Sequence, residues 1–519
     1  MASESFNAAA HLVDRQVEAG LGDRVALTGP AGTLTYARLA AEVAALAGGL
    51  RELGVRPEER VLIVMSDRPE TVVTILAVMR AGAVAVPVST MYHAAELAAL
   101  FRDSRGRVVA ATPEFAPAVR AAVAGAPEVT TLVLTGPPAD GAVAWDDLLA
   151  ATPAPPYDSW RDSPALWLYT SGTTGAPKAA MHRHGAIQDV HETYGRQVLG
   201  VRPGDRCLSV ARLFFAYGLG NSMIFPLAAG ATAVLDPAPP TPAGVLARVA
   251  EHRPTLFFAG PAFYAALLAA GAPSDAPSDA FASVRLGVSA GEALPAGIHR
   301  RFTARFGVDV LDGLGSTEAL HIFISNRPGQ ARPGTSGTVV PGYEARLLDE
   351  QGAPAADGEP GHLYVRGESI ATGYWCRAAA TRQVFQGEWL RTGDTYVREP
   401  DGFYRCLGRS NDLIKAGGIW VSPMEVEARL LEHPSVGECA VVANLDADGL
   451  ERPVACVVPA PGRVVDAAEL VAFCRDGLAA FKRPREVLVV AELPKTATGK
   501  IRRGVVRGLA ADLLGKPAP

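Results

Sequence analysis

The sequence predicts an α/β protein with two units: a large N-terminal one over residues 1–408, and a small α+β one over 413–519. Three observations carry this. Short apolar strands alternate with amphipathic helices through the first 400 or so residues, which implies parallel sheets in more than one subdomain. Near Gly361 the texture changes to short alternating segments, HLYVRG and DGFYRCLGR, that suit a small antiparallel or barrel-like piece. After Asp412 a new alternation of helix and strand begins that is long enough to fold around its own core, so the boundary is placed at Arg409 to Asp412.

From Arg60 the chain runs RVLIVMSD, RPETVVTILAVMRAG and AVAVPVS: a strand, a helix ended by Gly82 and a second strand, the unit from which parallel sheets are built. Similar strand-like runs recur at VVAAT, TLVL, ATAVL, TLFFAG and VRLGVSAG. Pro-rich stretches at Pro153 to Pro156 and Pro237 to Pro242 read as surface loops. The C-terminal unit is expected to hold a helix (PMEVEARLLEH), two strands (GECAVVAN, PVACVVPA), a helix (AAELVAFCRDGL) and a last strand (REVLVVAEL).

Composition excludes several classes of function. The 519 residues include 49% hydrophobic types, 20% charged types, 53 Gly and 40 Pro spread along the chain, which fits a folded globular protein and rules out disorder and collagen. The 49 basic against 54 acidic residues leave a net charge of -5, with no basic block that would bind nucleic acid or an anionic membrane. The start of the chain lacks a basic segment followed by an apolar run, and the apolar stretch from Thr71 to Ser89 is interrupted by Arg80, so neither a secretory signal nor a membrane span is expected. Cys207, Cys376, Cys406, Cys439, Cys456 and Cys474 never fall into CxxC spacing, which argues against a zinc site or a disulfide framework. The expected location is cytoplasmic.

The sharpest local signal is YTSGTTGAPK, Tyr169 to Lys178, after the apolar run ALWLYT. Glycines let backbone approach a phosphate, the hydroxyls of Ser171, Thr173 and Thr174 offer donors, and Lys178 supplies a positive charge. The spacing is not that of a Walker loop, because two residues separate Gly172 from Gly175 and nothing hydroxylic follows Lys178. Taken alone, such a loop is more often a plain Ser/Thr/Gly turn.

It does not stand alone. SAGEALP from Ser289, GLGSTEALHIF from Gly313, RTGD from Arg391, GRSNDLIKAGG from Gly408 and PKTATGK from Pro494 follow in order. Together these motifs resemble the adenylate-forming superfamily of acyl-CoA synthetases, peptide-synthetase adenylation domains and firefly-type luciferases over nearly the whole chain. DGLGSTEALHIFISN and FFAYGLGNSMIFPL look most like benzoate-CoA ligases and their aryl relatives.

The resemblance implies roles residue by residue. Thr170, Ser171, Gly172, Thr173, Thr174 and Lys178 would cradle ATP phosphates; Glu318 would hold the Mg2+ that bridges them, a hard oxygen ligand for a hard ion, and Thr317 would contact the α-phosphate. Asp394 would accept from the ribose hydroxyls and Arg409 would contact ribose or phosphate. Gly291, Glu292, Ala293, Asp312 and Gly313 correspond to the adenine walls, where Leu314 departs from the aromatic that relatives often carry. Lys500 would bridge the substrate carboxylate and the α-phosphate; read alone it is a surface lysine beside Arg502 and Arg503. Asp412 would be the hinge about which the C-terminal unit turns after adenylation, and Gly417, Gly418 and Trp420 would line the thiol channel, although the same stretch also reads as a simple Gly-Gly turn. Phe215, Ala216, Tyr217, Gly218, His321 and Ile322 would surround the aryl ring. His182 and His184 receive no catalytic role.

The expected activity is that of an ATP-dependent aryl-acid ligase using ATP, Mg2+ and coenzyme A, with benzoate or a close analogue as substrate and a monomer or homodimer as assembly. A carboxylate is anionic and has no leaving group, so a thiol cannot displace its oxygen until AMP is attached. The motifs leave coenzyme A and the phosphopantetheine of an acyl carrier protein open as acceptors, since both present the same thiol. A non-catalytic nucleotide-binding protein of this fold is disfavoured by the joint presence of Lys178, Glu318, Asp394, Arg409 and Lys500, and nothing indicates a luciferin-sized pocket.

Overall fold

The computed structural model describes residues 5–136, 141–171, 177–270, 279–409, 412–416, 419–446, 450–495 and 501–515. Residues 172–176, Gly417, Gly418 and Lys500 therefore lie outside the described residues.

Two large sheets organise the N-terminal part. The first has seven strands in the order Val143–Ala144, Thr131–Leu134, Val108–Ala111, Arg60–Val64, Val84–Pro87, Pro164–Ser171 and Pro177–Arg183. All its pairs are parallel except the last, where Pro164–Ser171 turns back on Pro177–Arg183 as an antiparallel hairpin with Thr170 opposite Lys178. The second has nine strands, with a parallel centre that includes Arg206–Ser209, Leu256–Ala259, Leu286–Ser289 and Val310–Gly315, and antiparallel edges that include Ile322–Ser325. Every strand-like run named from the sequence is a strand here. Parallel strands covered on both faces must be apolar on both, which is why these runs show no alternation.

The helix Pro69–Arg80 shows what that covering demands. Eleven of its residues are buried, Arg80 among them, so it is apolar all round, as a helix within a core must be. The Arg80 guanidinium stays inside because Asp14 accepts from its Nη1 at 2.5 Å and the Ala154 carbonyl from its Nε at 2.8 Å. That second bond pins the Pro-rich stretch, whose prolines are exposed while Ala154 is buried.

The texture change near Gly361 corresponds to a five-stranded antiparallel sheet containing Glu344–Leu348, Pro360–Arg366, Trp389–Arg398 and Tyr404–Arg409. Beyond it lie the expected helices Pro423–Leu430 and Ala467–Arg475 and a three-stranded sheet of Val436–Leu445, Glu451–Pro459 and Glu486–Val489. Two elements go beyond the sequence reading: a hairpin of Ile414–Ala416 with Ile419–Val421, and the helix Arg503–Leu514. All six cysteines are free thiols. Among the described residues no helix is long and apolar enough to cross a membrane.

The N-terminal segment is tied to a neutral histidine. His184 Nδ1 accepts the Ala8 backbone N–H at 3.0 Å. Burial lowers His11, His184 and His191 each to about 4, with Arg15 pushing His11 and His191 the same way. A histidine that titrates near 6.5 when unfolded and near 4 when folded binds more protons in the unfolded state between those values, so its stabilisation is complete above the unfolded value and is lost as pH falls toward the folded one. The urea midpoint should therefore drop between about pH 7.5 and about pH 5. A midpoint that stays level over that interval would contradict buried neutral histidines.

Candidate active site

Open α/β sheets bind ligands beyond the carboxyl ends of their strands, where backbone donors and loop side chains converge. Here two sheets present such ends. The strand Pro164–Ser171 carries Thr170 and Ser171 at its end, while Gly172, Thr173 and Thr174 lie outside the described residues. In the nine-stranded sheet, Leu286–Ser289 leads to Gly291, Glu292 and Ala293, while Val310–Gly315 carries Asp312 and Gly313 and runs into the turn of Thr317 and Glu318.

Two of the predicted charged residues, Lys178 and Glu318, come together through one that the sequence did not single out, Tyr374, and two more, Asp394 and Arg409, pair with each other. The Tyr374 hydroxyl donates to Glu318 Oε1 at 2.6 Å, and the Lys178 ammonium lies 5.5 Å from its ring centre. Burial and the Glu318 charge both push the hydroxyl up, so it stays a donor. Arg409 faces Asp394 across the strands Tyr404–Arg409 and Trp389–Arg398, with Nε 3.0 Å from Asp394 Oδ1, and its Nη1 donates to the Thr392 carbonyl at 3.2 Å. The Asp394 charge, and beyond it that of Glu318, holds Arg409 firmly cationic.

The Thr317 carbonyl accepts from His182 Nε2 at 2.8 Å. Burial lowers His182 to about 4, so the ring is a neutral structural donor. Asp312 is buried beside Ser289, and that burial pushes its carboxyl well above the usual range. Glu292 is exposed, and its charge acts on Arg503 of the C-terminal unit.

The predicted aryl wall is an aromatic core cluster. His321 packs its ring against Phe225, Tyr194 and Tyr217 at centre distances of 4.6, 5.3 and 5.6 Å, and burial lowers it to about 3, so it is uncharged. Tyr217 donates its hydroxyl to the Val288 carbonyl at 3.0 Å, tying the helix Ala216–Leu219 to a central strand. Ile322 is buried and opposes Gly315 in the sheet. The turn before this helix carries Phe215 and is anchored by a second residue the sequence reading missed: both Asp67 oxygens accept the Leu213 N–H, at 3.2 and 3.3 Å. Burial lifts Asp67 to about 6, against the pull of Arg212 at 3.9 Å. Gly218 differs from its neighbours, since a Cβ there would sit 2.0 Å from the Arg212 carbonyl oxygen.

In the C-terminal part, Asp412 lies 3.8 Å from Arg503 and 3.9 Å from Arg507. Lys415 pairs with Trp420 in the hairpin whose Gly417 and Gly418 are outside the described residues, as is Lys500. Among the described residues no cluster of three or more His, Cys, Asp or Glu forms a metal cage. Glu318 is a lone hard-oxygen donor on a half-exposed turn with one oxygen engaged by Tyr374, a donor set that suits Mg2+ drawing its other ligands from phosphate and water.

Residues 13–375 match the family model described as AMP-binding enzyme, and residues 425–500 match the model described as AMP-binding enzyme C-terminal domain. The chain belongs to the AMP-binding enzyme family. Within that family it is 42% identical over 515 residues to the benzoate–CoA ligase of Thauera aromatica, covering 97% of this chain and 96% of that protein. It is 41% identical over 515 residues to the 4-hydroxybenzoate–CoA/benzoate–CoA ligase of Rhodopseudomonas palustris, covering 98% of this chain and 95% of that one. Among solved AMP-binding enzymes, an anthranilate CoA ligase in complex with anthranoyl-AMP superimposes with a TM-score of 0.93 at 38% identity, over 98% of each chain.

Gly218 supplies a prediction whose sign is informative. Replacing an ordinary helical glycine by alanine gains about 0.5–1 kcal/mol. Here the added methyl meets backbone, and Gly218→Ala should instead cost on the order of 1–3 kcal/mol in urea unfolding. A stabilised variant would show that the turn at Arg212 is looser than described.

Proposed function

We infer that this chain is an AMP-forming aryl-acid–CoA ligase that activates benzoate or a close analogue with ATP and transfers the acyl group to coenzyme A. The observation that carries the reading is its 42% identity to a benzoate–CoA ligase over nearly the full length of both chains. The cluster of Ala216, Tyr217, His321 and Ile322 supports an aryl substrate, because Ala216 and Ile322 belong to the buried core, Tyr217 packs against it, and His321 is uncharged.

Chemically, a carboxylate oxygen attacks the α-phosphorus of ATP and the bond to pyrophosphate breaks; a thiolate sulfur then attacks the acyl carbon and AMP departs. The residues arranged around the cleft meet the charge this develops. Lys178 and the loop at 172–176 hold the outgoing phosphates, Thr317 touches the α-phosphate, and Arg409 with Asp394 orients the ribose. Gly291, Glu292, Ala293, Asp312 and Gly313 wall the adenine. Glu318 would hold Mg2+, which when bound neutralises phosphate charge. Lys500 carries positive charge to the acyl–phosphate oxygens. The division lies at 409–412, with residues 1–408 as the adenylating body and 413–519 as the unit that turns about Asp412 and brings Gly417, Gly418 and Trp420 to the thiol.

The test is ATP–pyrophosphate exchange over benzoate, hydroxybenzoates, aminobenzoates, cinnamate and short fatty acids, followed by thioester formation with coenzyme A. Exchange stimulated by fatty acids and not by aryl acids would sink the aryl assignment. The pocket itself is tested by Ala216→Val. Overpacking an apolar pocket costs about 1–3 kcal/mol, roughly ten- to two-hundred-fold in kcat/KM for benzoate. The KM for ATP should stay within a small factor, since the nucleotide contacts lie elsewhere. Wild-type benzoate kinetics in that variant would move the acyl pocket away from Ala216.

A further inference from the structure

Between the strand Pro360–Arg366 and the helix Ala378–Val384 the chain leaves its own sheet and crosses the cleft. One side of this crossing extends the hairpin strand that carries Lys178: Thr372 N–H donates to the Met181 carbonyl at 2.9 Å, Met181 N–H to Gly373 at 3.0 Å, and Trp375 N–H to Ala179 at 3.0 Å. On the other side, Ala371 N–H donates to the Glu318 carbonyl at 2.8 Å and Ser369 Oγ to the Ala319 carbonyl at 2.7 Å. Residues 369–375 are thus a strap between the strand of Lys178 and the turn of Glu318.

Tyr374 is the strap residue whose side chain reaches both charged groups. It opposes Ala180 in an antiparallel bridge, so on a strand of period two it meets the face that also carries Lys178 and His182. Its ring is wedged edge-on against Phe385, with centres 5.2 Å apart, and can rotate little. From that fixed ring the hydroxyl holds Glu318 Oε1 at 2.6 Å.

We propose that Tyr374 is a positioning residue for Mg2+·ATP: it locks the rotamer of Glu318 so that one carboxylate oxygen is engaged and the other is presented to the ion. This rests on the proposed function, in which Glu318 holds Mg2+. The physical reason is that a free glutamate must order its side chain on binding, whereas one already held by a charge-assisted hydrogen bond has lost that freedom beforehand. Outer partners of ligating groups typically contribute 10- to 100-fold in metal affinity. Tyr374→Phe keeps the ring over Lys178 and removes only the donor.

The experiment titrates the full chain with ATP by calorimetry, once with MgCl2 and once with EDTA, for wild type, Tyr374→Phe, Glu318→Gln and the double variant. Tyr374→Phe should weaken Mg2+·ATP by about 10-fold or more while leaving metal-free ATP within about 2-fold, and should raise the Mg2+ needed for half-maximal pyrophosphate exchange by a similar factor. Because Tyr374 acts through Glu318, the double variant should bind no more weakly than Glu318→Gln alone. Equal weakening of ATP with and without Mg2+, additive losses in the double variant, or unchanged Mg2+·ATP binding would each overturn the proposal. Wild type that binds Mg2+·ATP yet shows no exchange with any aryl acid would instead overturn the function, and the binding cycle would still judge Tyr374.

Discussion

The candidate site exists only while two separate sheets keep a fixed distance. Lys178 belongs to the seven-stranded sheet and Glu318 to the turn that leaves the nine-stranded one, and among the described residues no strand of one sheet pairs with a strand of the other. What holds them is transverse: His182 to the Thr317 carbonyl, and the strap at 369–375 bonded to the Lys178 strand and to the Glu318 turn. Each backbone bond contributes only about 1 kcal/mol net. Their effect is geometric, because a cation and a carboxylate left unrestrained would pair directly, whereas Tyr374 stands between Lys178 and Glu318 and keeps both available.

The proposed aryl wall obeys a different constraint. It is continuous with the main core: Ala216, Leu219, Ile322 and Phe225 belong to the same buried cluster as the strands of both sheets. Polar groups enter that wall only in uncharged form, His321 because burial suppresses its protonation and Tyr217 because its proton is committed to the Val288 carbonyl. A pocket made this way selects by shape, since core packing cannot relax around an oversized ring without cost. The proposed nucleotide side, by contrast, draws on charges carried by turns and strand ends.

That difference explains what could be seen in the sequence. Buried parallel strands announce themselves as unbroken apolar runs, and motif residues such as Lys178, Glu318 and Asp394 sit in distinctive short contexts, so the α/β body and most of the charged residues were legible. Tyr374, Asp67 and His182 were not. Tyr374 acts on Glu318 across 56 positions and Asp67 on Leu213 across 146, and neither falls in a periodic pattern or a motif that hints at its partner. Only the crossing of the strap and the junction of the two sheets bring them together. The helix Arg503–Leu514 was missed for a local reason: Gly504 and Gly508 dilute its helical signal, and its burial rests on packing against the C-terminal sheet.

The same asymmetry runs through the C-terminal unit and bears on how it could turn. Inside that unit Glu427 takes both terminal nitrogens of Arg503, while its Oε1 also accepts the Val441 N–H at 2.6 Å. A buried, bidentate and fully bonded pair of this kind is costly to break. Asp412 reaches Arg503 and Arg507 only at 3.8 and 3.9 Å, and between the two units Arg300 and Glu432 stand 3.7 Å apart on exposed side chains. The exposed Arg300–Glu432 contact contributes about 0–1 kcal/mol. In the proposed rotation at Asp412 the Glu427–Arg503 pair, lying wholly inside the C-terminal unit, would turn with it and need not break. The hydrogen bonds that join the strand of Lys178 to the turn of Glu318, all made within residues 179–375, would not have to change.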